Sequence, residues 1–112
     1  MSLDVYLMGI PPPPPEPIAL FQSNITHNLG EMAKAAGIYQ ACWRPEEIGV
    51  IKAAQLIPLL TAGLAKLEAD PEHFKTFDAP NGWGTYKHFV PWVRDYLHAC
   101  KEFPDADVQA SR

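Results

Sequence analysis

The sequence predicts a mainly α domain of the α+β type, with four to five helices and a small two- or three-stranded sheet from the N- and C-terminal segments. Three observations carry this. Apolar residues recur at helical spacing through the middle and last third of the chain, short stretches near each end alternate with period two, and prolines and glycines fall where helices start and stop. A length of 112 residues suits one domain, and there is no internal repeat, so 1–112 reads as a single domain. A globule of this size buries roughly two-thirds of the surface its unfolded chain exposes, enough for one core without disulfide or metal support.

Leu3, Val5 and Leu7 alternate with Asp4, Tyr6 and Met8, the pattern of a half-buried strand, and Gly9 ends it. Residues 11–17 are five consecutive prolines followed by Glu16 and Pro17. Proline supplies no backbone donor, so this stretch is excluded from helix and central strand. It predicts a polyproline II surface loop, serving either as a stiff solvated connection or as a docking ligand for an aromatic groove. Residues 18–22 read as a second short strand. From Thr26 a helix is expected, with Ile25, Leu29, Met32, Ala33 and Ala36 in one apolar stripe. Gly37 suits the left-handed residue after its end, with Ile38 giving the hydrophobic contact of a Schellman motif.

Residues 38–43 fit a short helical turn. Pro45 is tolerated at a first helical position and is expected to open the longest helix, with Glu46 and Glu47 favouring its positive end. Leu56, Leu59, Leu60, Leu64 and Leu67 form its apolar face, and Pro58 predicts a kink or break across 54–58. Asp70 and Pro71 cap and start a short helix running to Phe77. Residues 78–84 form a loop, and Thr85 is the expected cap of a final helix. Tyr86, Phe89, Val90, Val93, Leu97 and Cys100 keep helical spacing through Pro91, which reads as a second helix kinked at proline. Pro104 is a stop signal. Ala106, Val108 and Ala110 alternate with polar residues and predict a closing strand, paired with the N-terminal one so that its backbone groups are not left bare.

Composition excludes several classes of function. The net charge is -4, and the nine Lys and Arg are scattered, so the basic footprint of a nucleic-acid binder is missing. There is no apolar run of the roughly 20 residues that a membrane helix needs. Asp4 stands where a secretory leader would be basic, so a cytoplasmic location is expected. Cys42 and Cys100 are isolated and read as buried small hydrophobes, and C-x-x-C is absent. Nucleophile-elbow, Walker and Rossmann motifs are also absent. His27 with Glu31, and Asp95 with His98, are each half a metal site, so no metal and no cofactor is expected.

Three segments are candidates for a site. Asn24, His27, Asn28 and Glu31 would share one face of the first helix, opposite its apolar stripe. Asn and His are poorer helix formers than the usual surface Lys and Glu, so their presence points to capping, to a hydrogen-bond network or to a ligand at the helix start. In 81–86, Asn-Gly-Trp-Gly-Thr-Tyr, two glycines permit positive φ around Trp83, which either plugs the core or offers a flat ring to a planar ligand. Arg44, beside Trp43, either grips an anion or pairs locally with Glu47. The polar first-helix face and the Trp83 loop are expected to lie together.

The segments N-I-T-H-N-L-G-E-M-A (24–33), A-G-I-Y (36–39) and W-R-P-E-E (43–47), with N-G-W-G-T-Y (81–86) and the closing Ser111 and Arg112, resemble a family of small bacterial and phage-encoded proteins. The proline stretch looks like an insertion where that family has a short turn. The resemblance implies a single domain in a bacterial or phage setting and transfers no catalytic residue. The expected function is a non-catalytic binding module for a protein partner or a small anionic or planar ligand. Its candidate contacts are Asn24, His27, Asn28, Trp43, Arg44, Asn81, Trp83 and Tyr86. One alternative is a small enzyme using His27 as general base, helped by Glu31 or by a residue of a partner chain. Another is a structural accessory protein without a ligand site, its aromatics forming a homo-oligomer interface.

Overall fold

A computed structural model describes residues 2–9 and 18–112. The polyproline reading of 11–17 lies outside the described residues. The order is β1 (Ser2–Gly9), β2 (Ile18–Thr26), α1 (Gly30–Ala35), α2 (Tyr39–Trp43), α3 (Leu56–Ala69), α4 (Pro71–Lys75), α5 (Tyr86–Glu102) and β3 (Asp107–Ser111). Three short 3-10 turns, His27–Leu29, Pro45–Ile48 and Ala53–Gln55, join them.

The sheet is antiparallel in the order β2-β1-β3, so the N-terminal strand is central and the closing strand pairs with it, as its alternation predicts. Leu3, Val5 and Leu7 are fully buried on the inner face, and Ile25 extends that face onto β2. Helix α5 lies against it, with the Tyr96 ring stacked on Phe21 at 5.9 Å. A further layer, α3, packs on α5 through Leu56, Leu60, Leu64 and Leu67. Burial of such side chains is the main stabilising term, at about 1.5–3 kcal/mol each.

Several local expectations hold, and others are corrected. Gly37 has φ 79 and its N–H bonds the Lys34 carbonyl, while the Ile38 N–H bonds the Ala33 carbonyl, which makes the Schellman motif. Asp70 accepts from the His73 N–H at the start of α4. The first helix, however, does not begin at Thr26. Strand β2 runs on through Asn24, Ile25 and Thr26, which pair with Asp4, Leu3 and Ser2. Ile25 is buried either way, because its spacing to Leu29 fits a helix while its pairing with Leu3 needs a strand, and the ladder to β1 decides.

The long helix expected from Pro45 is also broken. Gly49 takes a left-handed φ of 73 after the Pro45–Ile48 turn, and regular helix resumes only at Leu56. Pro58 then stands in the first turn of α3, where backbone N–H groups have no intrahelical partner to lose. Leu59 turns outward and is 37% exposed. The longest helix is α5, at 17 residues, and it continues through Pro91. Pro91 removes the donor that the Lys87 carbonyl would otherwise have, and both residues are exposed. Gly63 in α3 has a packing reason: a Cβ there would lie 2.2 Å from Ile38 Cγ2.

Candidate functional site

At the end of β2 the chain turns sharply. Thr26 is extended, and its Oγ1 accepts the Asn28 N–H at 3.3 Å, which caps the tight His27–Leu29 turn. Asn24 therefore sits on a strand, not on a helix face with His27, Asn28 and Glu31. Asn28 reaches across the molecule instead, and its Nδ2 donates to the Trp83 carbonyl at 2.7 Å.

The Trp83 loop is built by its own backbone. The Ala79 N–H bonds the Gly84 carbonyl at 2.9 Å, the Gly82 N–H bonds the Ala79 carbonyl at 3.0 Å, and Asn81 Oδ1 accepts the Trp83 N–H at 3.0 Å. Thr85 occupies the cap position of α5 without making the cap bond, and Asp78 Oδ1 takes the Tyr86 N–H at 2.7 Å. The Thr85 hydroxyl instead meets His88 Nδ1 at 2.8 Å.

Gly84 joins loop and strand. Its φ is 110, and a Cβ on it would stand 3.0 Å from Asn28 Cβ and 3.1 Å from Thr26 Cγ2. Gly84→Ala is expected to lower stability by about 1–3 kcal/mol, because backbone strain and crowding add there. Gly82, at φ 78 with nothing within 4 Å, is the control that carries strain alone. Urea midpoints for the two variants measure the difference. Equal losses would mean that the Gly84 contacts with Asn28 and Thr26 do not hold the loop in place.

Together these elements enclose an open groove of about 940 Å³, lined by Ser2, the 24–29 segment, the 81–84 loop and His88. The structure thus brings Asn24, His27, Asn28, Asn81 and Trp83 to one place. Trp83 is 70% exposed, whereas Trp43 and Trp92 are buried. Among the described residues lining the groove there is no Lys, Arg, Asp or Glu. Ser2 and His88 were not picked out by sequence reasoning. Ser2 enters through its pairing with Thr26, a contact that no local pattern signals.

Three sequence candidates do not line this groove. Trp43 is a core residue, stacked on Tyr39 at 5.4 Å, with its Nε1–H donated to His27 Nδ1 at 2.8 Å. Arg44 bonds Glu47 at 3.2 Å, which is the local pairing. The Tyr86 hydroxyl donates to the Leu67 carbonyl at 2.8 Å and so ties α5 to α3.

The Trp43 bond bears directly on chemistry. A neutral imidazole has one unprotonated nitrogen, and in His27 that is Nδ1, already occupied by the indole N–H. The lone pair that a general base would use is engaged, and Nε2–H remains as a donor. Glu31 pairs with Lys34 at 3.3 Å instead of supporting His27. Among the described residues, no group of three His, Cys, Asp or Glu is placed to hold a metal ion, and no helix is long and apolar enough to cross a membrane. Comparison with known protein families, with curated proteins and with solved structures finds no match to this chain.

Proposed function

We propose that the protein is a non-catalytic binding module whose groove takes a small, uncharged ligand with a flat face. The observation that carries this reading is the exposed Trp83 indole beside the Asn24, Asn28 and Asn81 amides and the His27 and His88 imidazoles, in a lining without Lys, Arg, Asp or Glu. An exposed indole held on a hydrogen-bonded loop is a stacking surface whose ordering cost is already met by the fold. Side-chain amides both donate and accept, so they recognise neutral polar edges. An anionic ligand fits less well, because the groove lining has no cation and Arg44 is committed to Glu47.

The test is a screen of uncharged heterocycles and aromatic amides, read by indole fluorescence and by the side-chain amide signals of Asn24, Asn28 and Asn81. Compounds that bind are expected to quench the exposed indole and shift those amides. In Trp83→Ala, affinity is expected to fall about tenfold or more through lost stacking. Stability should change by no more than about 0.5 kcal/mol, because the side chain is mostly in water. Undiminished binding by the Trp83→Ala variant, or a tenfold preference for phosphorylated forms of the same compounds, would count against this reading.

A further inference from the structure

We infer that the protein forms a two-fold symmetric dimer by antiparallel pairing of β2 with β2 of a second copy, which joins two three-stranded sheets into one of six strands.

The two edges of the sheet are treated differently. The outer side of β3 is covered by the chain itself where the strand begins: the Val108 N–H bonds the Ile51 carbonyl at 2.8 Å, Lys52 bridges to Asp107, and just before the strand the Ala53 N–H bonds the Ala106 carbonyl at 2.9 Å. The outer side of β2 has no such cover. Among the described residues, no backbone or side-chain group hydrogen-bonds that side of the strand. An edge strand presents alternate unpaired N–H and carbonyl groups and is a template for another strand. Chains that avoid such pairing place charge, proline or a bulge on the edge. Ile18–Thr26 contains no charged residue and no proline. A bulge at Leu20, opposite the Leu7–Met8 step, leaves a regular edge from Phe21 to Thr26.

That regular edge is complementary to itself. Phe21, Ser23 and Ile25 point to the packed side, while Gln22 and Asn24 are exposed. Pairing must keep packed side with packed side, because a one-residue slip exchanges the two faces. An axis at Ser23 meets this condition. Phe21 then stands opposite the partner's Ile25, an aromatic and β-branched pair, and Gln22 opposite the partner's Asn24, an amide pair. Each copy carries a net charge of -4, and this uncharged strand lets two copies meet without like charges in opposition. Asn24 also lines the Trp83 groove, so the partner's Gln22 would stand at the groove's edge.

The experiment is sedimentation equilibrium of the full chain across a wide concentration range, for the wild type and for Q22K/N24K and Q22E/N24E. Both positions are exposed, and circular dichroism checks that the variants stay folded. The wild type is expected to reach the mass of two chains. In each variant like charges stand opposite across the axis, and dissociation is expected to rise at least about tenfold. Mixing the two variants is expected to restore a dimer through opposite charges. A wild type that keeps the mass of one chain at its highest soluble concentration overturns the inference. So does a dimer that both variants leave unchanged, or a mixture that fails to recover it.

Discussion

Raising the pH from 9 towards 12 is expected to destabilise the fold by about 1.4 kcal/mol per pH unit for each of two buried thiols, Cys42 and Cys100. Both are free and buried. Burial pushes the Cys100 thiol from its ordinary 9.0 up to about 12. Burial pushes Cys42 higher still, and the neighbouring Cys100 charge adds to it. Tyr96 moves the same way, first through burial and then through both cysteines, and its hydroxyl makes no hydrogen bond.

The sign follows from proton binding. Above pH 9 the unfolded chain ionises its thiols while the folded chain keeps them protonated, so the unfolded state binds fewer protons. The stability tied to these groups is therefore complete below pH 9. It is lost as pH rises, until about 12 for Cys100 and beyond that for Cys42. Two pH units into the window the loss reaches about 5 kcal/mol, comparable with the whole stability of a small domain. Urea midpoints measured across this range check it. The C42A/C100A variant is expected to be less stable at neutral pH but to have a shallower alkaline slope. An unchanged slope would exclude the thiols as the cause.

Leu60→Ala is expected to lower unfolding free energy by about 2–5 kcal/mol, the transfer loss plus the cavity it leaves. Leu60 is fully buried, in line with Leu56 and Leu64 on α3. Leu59, one residue earlier and 37% exposed, supplies the contrast. Leu59→Ala removes the same atoms from a partly wet site and should cost clearly less. Denaturant titration of both variants decides it. A Leu60→Ala loss under about 1 kcal/mol would show that this face is not packed.

What was legible in the sequence is what neighbouring residues decide among themselves. The alternation of Leu3, Val5 and Leu7, the Gly37 ending and the Asp70 cap each rest on contacts within a few positions. The failures fall where a distant partner decides. Asn24 to Thr26 are strand because β1 pairs with them, although their spacing suits a helix equally well. The chain from Pro45 is not one helix, because Gly49 takes a left-handed backbone that ends the first turn. At the site, the unusual Asn and His content and the Gly-Trp-Gly loop did mark the segments that form the groove. The fates of Trp43 and Tyr86 were hidden, because each is set by one hydrogen bond to a residue far along the chain: His27 for one, the Leu67 carbonyl for the other.

The central place of β1 also governs the order in which the molecule can assemble. Its pairing with β2 joins segments near one another in the chain, whereas its pairing with β3 brings Asp4 beside Ser111, with every helix in the loop between. Closing so long a loop is slow, and the ladder rewards it only once the loop is closed. The hairpin and the α3–α5 pair are therefore expected to form first, with the β1–β3 seam as the late step that completes the native state. Amide protons along that seam are expected to exchange through its partial opening, ahead of those in the packed centres of α3 and α5.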